Sequence, residues 1–436
     1  MKNINIALTP PMGWNSWDCY GATVREDEVL GNAEYMAKYL KDFGWEYVVI
    51  DIQWYEPNAV SSAYNAYTEL EMDEFSRLMP ALNRFPSAKN ANGFKEIGEK
   101  IHNLGLKFGI HIMRGIPRQA VHQNSKLKGT DKTARDIAHQ NSICPWNTDM
   151  YGINYAAEGA QEYYDSIFEL YASWGVDYVK VDDIADSKLY GGAHIKEIKM
   201  IQKAIQNSGR EMVLSLSPGP APLNDAEMFI KYANVWRMTD DYWDKWHYLY
   251  EMFERCEKWA KYVGPGSWPD CDMLPMGHIG IRSIDGFWDE PPLPKGEMRD
   301  RMTRFTEDEQ KTMMSLWCIF RSPLMFGGEL RDNDEFTLSL LTNRYLMEMP
   351  KSITNSYQLS RVDDLIVWKA EAGSSTYYAL FNASDKDTWM QLKNELLPVK
   401  YSLINVFNNN SKNENHYINC FVPRHGVALF KVENLD

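Results

Sequence analysis

The chain has 436 residues, more than one ordinary domain and suited to a large barrel with a smaller partner domain. Hydrophobic residues make up 44% of it, enough for a sizeable core, but no run of 18 apolar residues is present to span a membrane. A formal net charge of -14 repels phosphate backbones and anionic bilayers, which argues against nucleic-acid and membrane partners.

The N-terminus has neither the apolar stretch nor the small-residue cleavage site of a secretory signal, so the expected location is cytoplasmic. Leu30, Ala33, Ala37, Leu40 and Phe43 then recur at helical spacing, and Gly44 ends the stripe. An apolar strand over 47–50 follows and stops at Asp51. Phe94, Ile97, Ile101 and Leu104 form a second stripe, closed by Gly105 and followed by a strand over 107–110. Tyr164, Ile167, Tyr171 and Trp174 form a third, closed by Gly175, before a strand over 178–181 that ends at Asp182 and Asp183. Ile195, Ile198, Ile201 and Ile205 predict the next helix, with a strand over 212–215 and a short one over 234–237 behind it. Trp246, Leu249, Phe253 and Cys256 line another helix. Thr306 and Glu309 read as a capping box opening a helix through Phe320, and 324–326 is the last strand of the series. Strands alternating with helices of this length predict parallel β/α units, about eight of them. One connection, 113–154, is long and carries Lys126, Lys128, Lys132 and Arg135; it reads equally as a binding loop or as a surface insertion.

After Pro350 the pattern changes to short alternating runs at 365–368, 377–381, 401–407 and 427–430, the mark of an antiparallel β-sandwich. The expected fold is therefore α/β: a (β/α)8 barrel over 1–345 followed by a C-terminal antiparallel β-sandwich over 346–436. Six dispersed cysteines lack metal-type spacing and are expected to be buried thiols.

Barrels of this kind carry their chemistry at the C-terminal ends of the strands. Here those ends bear Asp51, His111, Asp182 with Asp183, Ser215 with Ser217, Arg237 with Asp240 and Asp241, and Asp270 with Asp272. A ring of carboxylates without a His/Cys cluster suits glycoside chemistry, in which one carboxylate stays ionised and the other holds a proton. Lys180, two residues before Asp182, faces the same side of its strand and favours the ionised form of Asp182. Singly, each residue has a plainer reading: Asp51 or Asp183 as a helix cap, Arg237 with Asp241 as a local ion pair, His111 as a core histidine, Asp272 as a turn residue. An aromatic content of 13%, with 15 Trp and 25 Tyr, suits stacking on sugar C–H faces, although most such rings fill cores.

Four segments are more specific. Thr9-Pro10-Pro11-Met12-Gly13-Trp14-Asn15-Ser16-Trp17, the run from Trp174 through Lys180-Val181-Asp182, Trp236-Arg237 through Asp241, and Gly264 through Pro269-Asp270-Cys271-Asp272-Met273-Leu274 resemble, in order, glycoside hydrolase family 27, the α-galactosidase and α-N-acetylgalactosaminidase family. The resemblance implies a retaining double displacement with Asp182 as nucleophile and Asp241 as acid/base, and it implies neither a cofactor nor a metal. Trp17, Asp51, Lys180, Arg237 and Asp272 match sugar-contacting positions of the family.

The chain departs from the family at four places. The usual pair of acids after the second strand is Asp51-Ile52, the usual Tyr after the third strand is His111, and the family's Cys pair near the site is absent. The Cys-Glu-Trp-Pro segment of α-galactosidases is replaced by Ser215-Leu216-Ser217-Pro218-Gly219, where Ser217 and Gly219 are expected to leave room for a 2-N-acetyl group. The expected substrate is thus an α-galactoside or α-N-acetylgalactosaminide. Ile52 opens the alternative of a β-L-arabinopyranoside or an α-glucan, as in the isomalto-dextranase branch. A non-catalytic sugar-binding protein is the remote alternative.

Overall fold

Eight strands run parallel in one sheet: β1 (Met12–Asn15), β2 (Tyr47–Ile50), β3 (Lys107–Met113), β4 (Tyr178–Asp182), β5 (Val213–Leu216), β6 (Val235–Arg237), β7 (Trp268–Asp270) and β8 (Leu324–Phe326). The structure, a computed structural model, describes residues 2, 5–61, 64–283, 300–408, 410–414 and 417–435. Each strand pairs with its neighbour in sequence, and β8 returns to pair with β1. The sheet closes just past β7, where Leu274 N donates to Met325 O at 2.8 Å and Gly327 N donates to Leu274 O at 3.0 Å. This is the expected (β/α)8 barrel.

Helices α1 (Glu26–Tyr39), α2 (Lys95–Asn103), α3 (Ala160–Ser173), α4 (Ile195–Asn207), α5 (Ala226–Tyr232), α6 (Trp246–Trp259) and α7 (Glu307–Phe320) each follow one strand, and α8 (Glu335–Leu341) and α9 (Arg344–Ser352) follow β8. The apolar stripes read from the sequence are their buried faces; on α4, Ile198, Ile201 and Ile205 are at most 4% exposed. Gly175 ends the turn after α3 at φ +78, a left-handed backbone that costs glycine nothing sterically. The capping box of α7 forms as expected, with Thr306 Oγ1 accepting from Glu309 N at 3.2 Å and Glu309 Oε2 accepting from Thr306 N at 2.9 Å. Strand β1 was not legible, because Met-Gly-Trp-Asn shows no alternation and is buried at every position.

Alternate residues of the strands point inward, and this alternation builds the site. Tyr47, Val49, Tyr178, Val213, Val235 and Trp268 fill the lower barrel as one apolar group. The next inward positions towards the C-terminal ends are Asn15, Lys180, Ser215, Arg237, Asp270 and Asp272, which line a small cavity with Tyr178. A polar layer therefore sits directly on an apolar plug.

The second domain contains β9 (Asn355–Val362), β10 (Leu365–Ala372), β11 (Ser375–Asn382), β12 (Thr388–Leu392), β13 (Tyr401–Asn405), β14 (Ser411–Glu414), β15 (Ile418–Val422) and β16 (Val427–Asn434). They form an antiparallel sheet in the order β9-β10-β11-β16-β13-β14 and a two-stranded partner, β12-β15. The expected boundary at 345/346 lies within α9, and the first sandwich strand begins at Asn355. One sheet face packs on the barrel: Phe381 meets Phe253 of α6 at 5.0 Å between ring centroids, and His425 stacks on Trp246 at 3.6 Å while its Nδ1 lies 2.8 Å from Glu309 Oε1. Of the six cysteines, five are buried and Cys420 is half-buried; all are free thiols. Among the described residues no helix is long and apolar enough to cross a membrane.

The long 113–154 connection folds into a small antiparallel sheet of Ile116–Pro117, Met150–Ile153 and Ala138–Ile143. It is tied to the segment after β2 through Asp149, whose Oδ2 accepts from Gln53 Nε2 at 2.7 Å and from Tyr55 Oη at 2.9 Å.

Candidate active site

Four expected site residues meet in one bonded group above β2, β3 and β4. Lys180 Nζ donates to Asp51 Oδ2 at 2.9 Å, and Asn15 Nδ2 donates to the same oxygen at 2.7 Å. His111 Nε2 lies 3.2 Å from Asp182 Oδ2 and 4.0 Å from Asp51 Oδ1, so one imidazole stands between two carboxylates. Neither Asp51 nor Asp183 caps a helix, since the next long helices begin at Lys95 and Ile195. Burial opposes the Asp51 charge, but Lys180, His111 and Asn15 outweigh it and hold the carboxyl below its ordinary pKa.

Asp182 is held well below the usual carboxylate range. Burial alone would push it up; the hydrogen bond and charge of His111 act most strongly the other way, then Lys180 and the Asp183 N–H, which donates to Asp182 Oδ1 at 2.8 Å. The reading that Lys180 favours ionised Asp182 thus needs an amendment. Lys180 contributes, but it bonds Asp51, and His111 is the nearer cause.

The second group is built on β6 and the loop past β7. Arg237 Nη2 lies 2.8 Å from Asp241 Oδ1 and 3.3 Å from Asp272 Oδ2. The local i,i+4 pair is real, but it lies between β6 and α6 rather than on a helix. Asp272 is fixed from three sides, by Arg237, by Tyr242 N (2.8 Å to Oδ2) and by Trp317 Nε1 (3.0 Å to the Asp272 carbonyl). The side chain of Asp241 is 64% exposed at the barrel mouth while that of Arg237 is only 5% exposed. Partial desolvation raises the Asp241 pKa, Asp272 and Asp240 add to this, and Arg237 works against them. Asp51 and Asp182 are therefore shifted down and Asp241 up, around the cavity that Lys180 and Arg237 both line. Below them Asp270 is pushed up to about 7 by burial and by Asp272.

Trp17 sits at the rim, its N–H donating to Asn15 Oδ1 at 2.9 Å and its ring stacked on Tyr64 at 6.2 Å. Ser217 is deeply buried just past β5. It is 1% exposed, and its Oγ lies 3.5 Å from Val181 O. At Gly219 an added Cβ would meet Thr239 O at 2.2 Å and Arg237 O at 2.6 Å, so backbone lies tight against that side of the glycine. Lys188 further closes this side, donating from Nζ to Gly219 O at 2.8 Å and to Asp240 Oδ2 at 2.5 Å.

Sequence reasoning missed the supports. Asn15 and Ser16 fall inside the quoted N-terminal motif, yet their bonds to Asp51 depend on β1 pairing with β2. Arg114, 2% exposed, lies 2.9 Å from Asp183 Oδ2 and 3.0 Å from Glu197 Oε1, and Tyr164 Oη donates to Glu197 Oε2 at 2.6 Å. This network clamps the residue next to Asp182. Its members come from the residues just past β3 and β4 and from α3 and α4, and no local signal joins them.

The alpha galactosidase A family model matches residues 147–287. The GH27 β-L-arabinopyranosidase of Geobacillus stearothermophilus is 59% identical, with 98% of this chain and 97% of that one covered and a TM-score of 0.94. The chain belongs to glycoside hydrolase family 27. Other relatives of this family-27 chain include a candidate α-N-acetylgalactosaminidase of Bacillus halodurans C-125, 55% identical over 100% of both chains with a TM-score of 0.87. Alpha-galactosidase A of Cellvibrio japonicus (strain Ueda107) is 24% identical over 98% of this chain and 92% of its own length. As a family-27 member the protein is a glycosidase, and a carbohydrate is its substrate.

Proposed function

We propose that this family-27 glycosidase is a retaining β-L-arabinopyranosidase. The observation that carries the substrate is Ile52, 2% exposed directly after Asp51, at the position where the family's second sugar-binding acid stands. β-L-Arabinopyranose presents the ring hydroxyls of α-D-galactopyranose without the hydroxymethyl group on C5. An apolar side chain at this position offers no partner to a C6 hydroxyl, and an unpaired buried hydroxyl is costly. The 59% identical arabinopyranosidase supports the same substrate. The α-N-acetylgalactosaminide reading has less support, because backbone and Lys188 occupy the space beside Gly219.

In the reaction, ionised Asp182 attacks the anomeric carbon while Asp241 donates its proton to the leaving oxygen. Asp241, now a base, then activates the water that releases the sugar with retention. The lowered pKa of Asp182 and the raised pKa of Asp241 suit these roles. Arg237 binds Oδ1 of Asp241, which leaves Oδ2 to carry the proton. Asp51, Lys180 and Asp272 are oriented towards sugar hydroxyls, with Trp17 against the apolar face.

The test is hydrolysis of the nitrophenyl β-L-arabinopyranoside, α-galactoside and α-N-acetylgalactosaminide. The pentoside should lead by at least about tenfold in kcat/KM, the scale of one mismatched polar contact. Ile52→Asp should narrow or invert that ratio. A faster galactoside or N-acetylgalactosaminide in the wild type overturns the assignment.

A further inference from the structure

Tyr64 lies in the long connection between β2 and α2, away from every motif read from the sequence. Its ring stacks on Trp17 with centroids 6.2 Å apart and planes inclined by 28°. Trp17 in turn donates its backbone N–H to Asn15 Oδ1 at 2.9 Å, and Asn15 Nδ2 donates to Asp51 Oδ2 at 2.7 Å, so the stacked ring stands beside the site carboxylates. Its Oη makes no hydrogen bond among the described residues. The chain after it is anchored: Asn65 Nδ2 donates to Asn58 O at 2.8 Å and to Glu56 Oε2 at 3.0 Å, Tyr67 N donates to Thr148 Oγ1 at 2.6 Å, and Leu70 N donates to Gln119 Oε1 at 2.7 Å. Thr148 and Gln119 belong to the 113–154 connection, so two long loops brace each other beside the ring that stacks on Trp17.

We propose that Tyr64 is a substrate-binding residue, forming with Trp17 an aromatic wall of the sugar pocket and donating its hydroxyl hydrogen bond to the bound glycoside. Burial and the surrounding carboxylates raise its pKa well above that of a free phenol, so it keeps its proton and serves as a donor. Aromatic faces suit the C–H surface of a pyranose, and a rigid ring costs little entropy to hold in place. A ring that only propped Trp17 would need no hydroxyl, and phenylalanine would serve equally.

This inference rests on the glycosidase reading but not on the pentose. The assay therefore uses whichever nitrophenyl glycoside the wild type hydrolyses fastest, and a failed pentose assignment shows in the wild-type panel while a failed Tyr64 assignment shows in the variants. Tyr64→Phe keeps the stack and should lower kcat/KM about tenfold, chiefly through KM, as expected for one lost hydrogen bond to a ligand. Tyr64→Ala should lower it about a hundredfold, with the wall removed as well. Free sugar binding to Asp182→Ala, followed by calorimetry, should weaken by a similar factor when Tyr64→Phe is added, with no change in melting temperature. A Tyr64→Phe enzyme within twofold of wild type in both KM and sugar affinity overturns the proposal, whatever Tyr64→Ala does.

Discussion

The sandwich core and the barrel mouth are both buried, yet they are built from opposite materials. Between the two sandwich sheets lie Val367, Tyr378, Leu380, Met390, Leu392, Leu403, Ile418 and Val422, a dry apolar cluster that any well-packed β domain could own. At the barrel mouth Asp51, His111, Arg114, Asp183, Arg237 and Asp272 are each at most 6% exposed, and every one is a polar or charged side chain. Burying charge is costly unless partners compensate, and here each charge has one. The contrast teaches where stability and chemistry were separated: the sandwich contributes apolar burial, whereas the mouth preserves a fixed field around the two aspartates.

Breaking that contrast at its centre gives the largest effect. Asp182→Ala should lower kcat by about 10,000-fold or more while its circular dichroism and melting temperature stay near wild type. Retained turnover would remove Asp182 from the nucleophile role. Arg114→Met attacks the support instead, leaving Asp183 and Glu197 buried without their cation. It should destabilise the fold by about 3–5 kcal/mol, read by urea denaturation, and lower activity as well. Leu380→Ala makes the matching cut in the sandwich. It should cost about 2–5 kcal/mol of stability while kcat, measured well below the melting temperature, changes less than twofold. If Leu380→Ala impaired kcat as Arg114→Met does, the division of labour drawn here would fail.

The smallest effect is on pH dependence. In the proposed reaction Asp182 must be ionised, and its depressed pKa should place the acidic limb of kcat/KM below the ordinary aspartate range. Asp241 must be protonated, and its raised pKa places the alkaline limb above that range, with the rate falling as pH rises through it. Asp241→Asn should abolish the alkaline limb for a nitrophenyl leaving group, which needs little protonation. An unchanged bell would assign that limb to another group.

Much of this was legible before the structure. The stripes of α1 to α4 and α6, the capping box of α7, six of the eight barrel strands and the change of pattern after Pro350 are local signals. That Asp51, His111, Lys180, Asp182, Arg237, Asp241 and Asp272 gather at one end of the barrel was legible as well, because strand ends of a β/α barrel converge on one face. Not legible were the partners. Ser217 and Gly219 read as space for a substituent, whereas backbone of Arg237 and Thr239 lies tight against Gly219. Tyr64 carried no motif, and Asn15 lay on a strand without alternation.

The linear order of residues was sufficient for the architecture, the two carboxylates and the apolar replacement at Ile52, because each depends on a residue's identity and on its near neighbours. Which group holds Asp182 ionised, what clamps Asp183, and which ring closes over the mouth depended on the folded chain. His111 and Asp182 are 71 positions apart, Arg114 and Glu197 are 83 apart, and only strand register and loop packing bring them within bonding distance.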